Sequence, residues 1–284
     1  VSSALASAVE RLRRAGSPTP RLDAEVLMAH VAGRERTWLL AHPEAPLDAS
    51  DAFEAAIERR EAGEPVAYVR GFKEWRSLRV LTDARALIPR PETELVVEAA
   101  GAEIRARNRA GVVWDVGTGS GAIAVALALD FLNVLADGRL RLIASDASAD
   151  ALALAGENLA ANGVADLVEL VEADLLAAAG ERHSRPDVVT ANLPYVPSAE
   201  VDEGAGSLGF EPRIALDGGD DGLDLLKRFL AEARERAAPG ATVFLELGVD
   251  QVEAVRGMAP ADASVSIVPD LAGLDRVVRI ELPR

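Results

Sequence analysis

Apolar residues recur at helical spacing through the first 75 positions. The sets are Leu5, Val9 and Leu12, then Leu22, Val26 and Ala29, then Leu39 and Leu40, then Phe53, Ala56 and Ile57. Intervals of three and four place each set on one helix face. Pro18, Pro20, Pro43 and Pro46 fall in the gaps between them, where proline belongs. Asp48-Ala-Ser-Asp51 supplies N-cap candidates for the helix that runs to Arg60, and Gly63 ends it. From Val66 the pattern changes. Val66, Tyr68 and Val69 precede Gly71, and Leu78, Val80 and Leu81 follow Trp75. These short runs predict hairpin-like strands through Ile88. Pro91 then suits a first helical position, and Glu92 and Glu94 suit the positive end of a helix running to about Arg107.

Beyond that point the chain alternates. Strands are predicted at 112–116, 140–145, 167–172, 187–191, 242–247, 265–269 and 277–282. Helices are predicted at 122–132, 149–162, 222–238 and 251–258. Alternation of this kind implies a mostly parallel sheet covered on both faces. The last two strands are joined by Asp270 to Arg276, too short for a crossover helix, so they pair antiparallel or lie apart. The expected fold class is therefore α/β: a seven-stranded sheet, last strand antiparallel, behind a small all-helical N-terminal domain. That layout resembles the Rossmann-like methyltransferases. The expected domains are 1–73 (helical), 74–89 (a hairpin-like linker) and 90–284.

Charge and composition narrow the function. Lys and Arg number 30 against 46 Asp and Glu, a net charge of −16, and cysteine is absent. Without thiols there is no disulfide framework, Cys-ligated metal or cysteine nucleophile. Residues 1–75 carry 10 basic and 12 acidic side chains, so nearly all the acidity, −14, lies in 76–284. A protein that clamps phosphate backbones needs clustered cations instead. The longest apolar run, 122–129, is far short of the ~20 residues that span a bilayer. The N-terminus carries its arginines after its apolar stretch, the reverse of a signal peptide. A cytoplasmic protein is expected.

The first strand of the alternating region runs into Asp115-Val-Gly-Thr-Gly-Ser-Gly121 and then a helix. Gly117, Gly119 and Gly121 let the backbone turn sharply and approach a ligand. Two cofactors fit such a turn. A dinucleotide would set a pyrophosphate on the helix N-terminus. S-adenosylmethionine suits the tighter Gly-x-Gly-x-Gly turn preceded by an acid, here Asp115, and is the better match; the turn residues Thr118 and Ser120 belong to the same candidate site. Asp146 ends the next strand, where a carboxylate can accept from both ribose hydroxyls of either cofactor. Asp174, after the third strand, could reach an adenine amino group.

Asn192-Leu-Pro-Tyr195 ends the fourth strand, the edge where open α/β sheets place ligands. The string resembles the motif of methyltransferases that modify a planar NH2 group. An amide nitrogen is a poor nucleophile because its lone pair is delocalised. Asn192 Oδ1 can accept one N–H and the Leu193 carbonyl the other, which holds the nitrogen in line and favours pyramidalisation. Pro194 stiffens the turn, and Tyr195 offers a ring wall and a hydroxyl. His30, His42 and His183 lie outside all of these motifs.

Longer strings sharpen the resemblance. The chain is similar over almost all its length to the HemK-type release factor glutamine methyltransferases. Arg21-Leu-Asp-Ala-Glu25 and Glu64-Pro-Val-Ala-Tyr68 match weakly. The glycine turn and Leu245-Glu-Leu-Gly248 with Gln251 match too, and Leu87-Ile-Pro-Arg-Pro-Glu-Thr-Glu94 and Phe210-Glu-Pro-Arg-Ile-Ala-Leu-Asp-Gly-Gly-Asp-Asp-Gly-Leu223 are the discriminating strings. The resemblance implies methylation of the glutamine amide in the Gly-Gly-Gln motif of peptide-chain release factors, with S-adenosylmethionine as donor. It implies that Gly117 to Gly121, Asp146, Leu175 and Asn192 line the cofactor, that Asn192 to Tyr195 line the glutamine, and that the N-terminal domain helps hold the release factor. The expected partner is that protein substrate, met by a monomer, with no direct nucleic-acid contact and no membrane. One departure stands out: Leu193 replaces the family's usual proline. Asn-Leu-Pro-Tyr also occurs in adenine-N6 methyltransferases of ribosomal RNA, so methylation of adenine in RNA or DNA is the alternative. The string from Asp217 to Gly222 lacks the ligand spacing of a calcium loop and is expected to be a turn in which Asp220 or Asp221 caps the next helix. The connection from Asp130 to Arg139 is longer than usual.

Overall fold

The computed structural model describes residues 1–46, 49–109, 111–181, 183–204 and 206–284. They form two compact units, Val1–Lys73 with Gly204–Phe210, and Glu74–Glu203 with Glu211–Arg284.

The first unit is built from α1 (Ser2–Arg14), α2 (Pro20–Ala32), α3 (Arg36–Ala41), α4 (Ser50–Glu61) and α5 (Val66–Arg70). Their apolar faces meet on Leu12, Leu27, Met28, Leu39, Phe53 and Ile57, each at most 1% exposed. The acids of the Arg21–Glu25 string are buried inside this unit. Asp23 accepts from the Ser17 and Thr19 hydroxyls, both at 2.8 Å, and from Arg60 Nε at 2.8 Å. Arg60 also donates to the carbonyls of Gly63 and Glu64. One guanidinium thus ties the two N-terminal strings together, so their residue types follow from packing.

Two local expectations fail here. Residues 66–70, expected as strand, are helix α5. Pro65 stands at its N-cap and Gly71 closes it at φ 75°, and five residues are too few for helical periodicity to show. Helix α4 starts from Ala49 without a side-chain cap, so Ser50 and Asp51 lie inside its first turn; Asp48 falls outside the described residues.

A two-stranded ribbon of β1 (Phe72–Trp75), whose first two residues belong to the first unit, and β2 (Leu78–Leu81) leads to α6 (Glu94–Arg107) in the second unit. Then follow β3 (Gly111–Val116), α7 (Ala122–Asp130), α8 (Leu132–Ala136), β4 (Leu140–Asp146), α9 (Ala149–Ala161), β5 (Val168–Glu172), β6 (Val188–Ala191), α10 (Ser198–Glu203), α11 (Asp224–Arg236), β7 (Thr242–Glu246), α12 (Val252–Met258), β8 (Ser264–Pro269) and β9 (Asp275–Glu281). The long connection after α7 is filled by α8, which seats Phe131 and Leu135 on the core.

The sheet has seven strands in the order β5-β4-β3-β6-β7-β9-β8. The first five are parallel, and β9 runs antiparallel between β7 and β8. One face packs on α6, α7 and α9 through residues such as Val97, Val125 and Leu159. The other packs on α11 and α12 through Leu226, Phe229 and Val255. Cover on both faces explains why β3, β6 and β7 read as continuous apolar runs. Because five neighbouring strands point the same way, their last residues, among them Val116, Asp146, Ala191 and Glu246, arrive at one edge. The strand order reverses between β3 and β6, and the crevice beyond such a reversal is where open α/β sheets bind ligands.

Candidate active site

The turn after β3 holds its three glycines in the left-handed region, at φ 66°, 56° and 77°, where a side chain would strain the backbone. Two of them also leave room. A Cβ on Gly121 would lie 3.0 Å from the Ala155 Cβ of α9, and one on Gly117 would lie 2.8 Å from Leu193 Cδ2. Leu193, 3% exposed, therefore packs its side chain into the space Gly117 leaves. The leucine that departs from the familiar motif is fitted to this turn.

Asp146 is gripped by the same turn. Its carboxylate accepts the Gly119 N–H and the Ser148 N–H, each at 2.9 Å. Burial pushes its carboxyl above the usual range, and these backbone bonds pull it back. Asp115, fully buried, faces away from the cleft. It accepts the hydroxyls of Thr118 at 2.6 Å and Thr190 at 2.9 Å, which joins the turn to β6. Burial pushes its carboxyl up to about 7. A carboxyl raised by folding makes the folded state bind the proton more tightly. The buried ion therefore costs stability above about pH 7, and the cost fades as pH falls toward the unfolded value near 4. Asp115→Asn is expected to melt at a temperature that gains on wild type as pH rises from about 5 to about 8. Parallel melting curves across that range would contradict the assignment.

A cleft opens over these residues. Gly117, Gly119, Asp146, Asp174, Leu175, Asn192, Leu193 and Pro194 all line it. Leu175 adopts φ 51° there. Asp174 is half exposed and ion-paired with Arg228 at 2.6 Å. Thr118, Ser120 and Gly121 stand behind the lining: Thr118 bonds Asp115, the Ser120 carbonyl accepts from Asn158, and Gly121 packs on α9. Tyr195 borders a separate depression with Pro197, Gly248 and Gln251. The lining also includes Arg85, Ala86 and Ile214, which carried no sequence signal beyond membership of a linker or a long string, and Ser148, which carried none. No histidine lines it.

Asn192 Nδ2 donates to Thr93 Oγ1 at 3.1 Å. Among the described residues, no donor reaches Asn192 Oδ1 or the Leu193 carbonyl. Two acceptors are thus left at the cleft, as a bound NH2 group requires. Tyr195 is mostly buried, and burial together with Glu246 pushes its phenol up to about 12, so it stays neutral.

The loop that carries Asn192 is fastened by the glycine-rich string. Val196 N donates to the Leu216 carbonyl at 3.0 Å, and Gly218 N to the Val196 carbonyl at 2.9 Å. Gln251 Nε2 donates to the Tyr195 carbonyl at 2.9 Å. Another string clasps the first: buried Glu211 accepts the Ile88 N–H at 2.9 Å and pairs with Arg90. Helix α11 has Leu223 at its N-cap and no side-chain cap; Asp221, two residues before the N-cap, accepts the Leu223 N–H at 2.9 Å, and so braces the loop instead of capping the helix.

Residues 3–71 match the family described as PrmC N-terminal domain, and residues 93–207 the family described as Methyltransferase small domain. The release factor glutamine methyltransferase of Moorella thermoacetica is 41% identical over 278 residues, covering 96% of this chain and 95% of that one. That of Deinococcus radiodurans is 37% identical, covering 97% and 96%. Among solved structures, a methyltransferase from Pyrococcus furiosus shares the fold at 19% identity and TM-score 0.50, over 80% of this chain and 96% of that chain. The hMettl16 catalytic domain shares it at 15% identity and TM-score 0.53, over 82% and 81%.

Proposed function

The chain belongs to the release factor glutamine methyltransferases, and from that premise we propose that it methylates the side-chain amide nitrogen of the glutamine in the Gly-Gly-Gln motif of peptide-chain release factors. The observation that carries the reading is the pair of free acceptors, Asn192 Oδ1 and the Leu193 carbonyl, set beside the cleft that Gly117 and Asp146 line.

The cleft fits S-adenosylmethionine. Gly117 and Gly119 present bare backbone to it, and Asp146 uses two lone pairs on amides and keeps the others for hydroxyls. Leu175 and Ile214 supply apolar walls. When bound, this cofactor supplies an electrophilic methyl group. The chain's own residues do the rest. Asn192 and Leu193 each accept one hydrogen of the substrate NH2 and so orient the nitrogen lone pair. Both bonds strengthen as the nitrogen gains positive character during transfer, which is where acceptors contribute most. No base is needed before attack, because the proton leaves the methylated nitrogen afterwards.

We assign the task of holding the release factor to the helical residues 1–73, supported by the match of 3–71 to the N-terminal family. A protein substrate also suits the −14 carried by residues 76–284 better than an RNA or DNA backbone does. No helix of the described residues is long and apolar enough to cross a membrane, in keeping with a cytoplasmic enzyme of translation. Incubation with a release factor and S-adenosylmethionine, followed by mass spectrometry of the Gly-Gly-Gln peptide, is expected to show one added methyl group on the glutamine. An unmodified glutamine would overturn the proposal.

A further inference from the structure

Glu246 ends β7 at the active-site edge and is 2% exposed. Its Oε2 has no hydrogen-bond partner among the described residues. Thr93 and Asn192 stand close enough to its carboxylate to favour the ionised form, and Thr93 Oγ1 accepts from Asn192 Nδ2 at 3.1 Å. Thr93, 4% exposed, closes the Pro91–Thr93 turn that leads into α6. Two buried side chains thus meet Asn192 at the back of the cleft, the three coming from three separate elements.

A carboxamide has nearly the same shape either way round, but opposite chemistry. With Oδ1 outward it accepts an N–H; with Nδ2 outward it repels one. An ionised carboxylate can only accept, so it binds the NH2 edge of Asn192 and rejects the carbonyl edge. The Thr93 hydroxyl already accepts from the same NH2 group, and its own hydrogen can turn to the nearby carboxylate. Both neighbours therefore select one of the two orientations.

We propose that Thr93 and Glu246 are positioning residues, which hold the Asn192 carboxamide with Oδ1 turned toward the amide to be methylated; this rests on the function proposed above. The groups around Glu246 make the selection conditional. Glu92 opposes its ionisation, as burial does, and Arg276 favours it. Tyr195 and Arg90 complete the charged and polar surroundings on the loop side. Burial raises the Glu246 carboxyl to about 7. Once protonated, it can donate to Oδ1 as readily as accept from Nδ2, and the selection weakens on the acid side.

Three variants test this with the intact enzyme and a release factor. Glu246→Gln offers both a donor and an acceptor and so cannot select. It is expected to lower kcat about 10- to 100-fold, the loss that a misplaced catalytic group produces, with KM for cofactor nearly unchanged and the fall in kcat below pH 7 flattened. Thr93→Val removes the hydroxyl at constant shape and is expected to lower kcat about tenfold, while Thr93→Ser restores it. A second readout needs no turnover. In 15N–1H spectra the Asn192 side-chain NH2 pair is expected to titrate near pH 7 in wild type and to stop doing so in Glu246→Gln. Unchanged kcat in both Glu246→Gln and Thr93→Val overturns the proposal. So does an Asn192 NH2 signal that ignores pH and both substitutions. If wild type leaves release factors unmethylated while the NH2 pair still titrates, the assigned substrate has failed and the positioning has not.

Discussion

Replacing Asn192 by alanine is expected to lower kcat about a thousandfold or more, while cofactor affinity falls less than about tenfold. The asymmetry follows from where the side chain works. Asn192 touches the cleft that would hold the cofactor, but Gly117, Gly119 and Asp146 make that site without it. Its Oδ1 is one of the two acceptors assigned above to the substrate nitrogen, and no donor among the described residues occupies it. Loss of one such group in other enzymes costs about 10²–10³ in kcat. Alanine also leaves Thr93 without the NH2 it accepts, which loosens the ground beneath the loop. Asn192→Asp sharpens the test. The substitution sets a second carboxylate against Glu246, and two like charges so close raise one carboxyl strongly. The shared proton can bond the introduced carboxyl group inward and leave its carbonyl outward, so this variant is expected to exceed alanine in activity and to lose that advantage as pH rises. Rates at about pH 6 and pH 8.5, with cofactor binding measured alongside, decide the matter. An alanine variant of near-wild-type kcat refutes the role.

Much of the site was legible because it lies at strand ends. A strand followed by glycines at alternate positions, or by Asn-Leu-Pro-Tyr, marks its own location once the alternation of strands and helices is seen. Asp146, Leu175 and Asn192 reach one cleft because β3, β4, β5 and β6 are parallel neighbours. The second row was hidden for the opposite reason. Thr93 meets Asn192 across 99 positions of sequence, and Glu211 meets Ile88 across 123. Such pairs depend on which strands are adjacent, and periodicity does not reveal that. The strings holding Thr93 and Glu211 stood out as specific, and the one holding Glu246 matched, without disclosing what each residue does. Asp115 illustrates a subtler limit. An acid before a glycine turn looks like a ligand for the cofactor, yet its two hydroxyl partners make it an internal brace. Helix α5 escapes the pattern because one and a half turns between Pro65 and Gly71 show no period to read.

Gly222→Ala is expected to be the most damaging single change outside the residues that face the substrate. Gly222 sits at φ 71°, and a Cβ there would lie 2.3 Å from the Tyr195 carbonyl oxygen and 2.9 Å from Gln251 Nε2. The first contact is with backbone, which cannot swing aside like the end of a long side chain. The methyl group must push the Tyr195 peptide away, and this also breaks the bond that Gln251 makes to it. Asn192 lies three residues upstream on the same loop. A displacement of about 1 Å at a reacting group costs on the order of 10²-fold in rate, so kcat is expected to fall about a hundredfold. Two controls separate this from ordinary glycine strain. Gly138 sits at φ 72° with nothing within 4 Å of its Cβ position. Gly138→Ala therefore carries only the left-handed strain, about 1–2 kcal/mol, and is expected to lower the melting temperature without changing kcat. Gly219, at φ 94°, would meet the Asp224 side chain, its carboxylate oxygen at 2.2 Å and its Cβ at 3.0 Å; the carboxylate can turn away, and the Cβ contact needs only a small shift. Gly219→Ala is expected to fall between the two in stability and close to wild type in kcat. If Gly222→Ala keeps kcat within about threefold of Gly138→Ala at equal foldedness by circular dichroism, the glycine-rich string does not position the catalytic loop. The larger loss is expected because the string's glycines are set where another stretch of backbone needs the space.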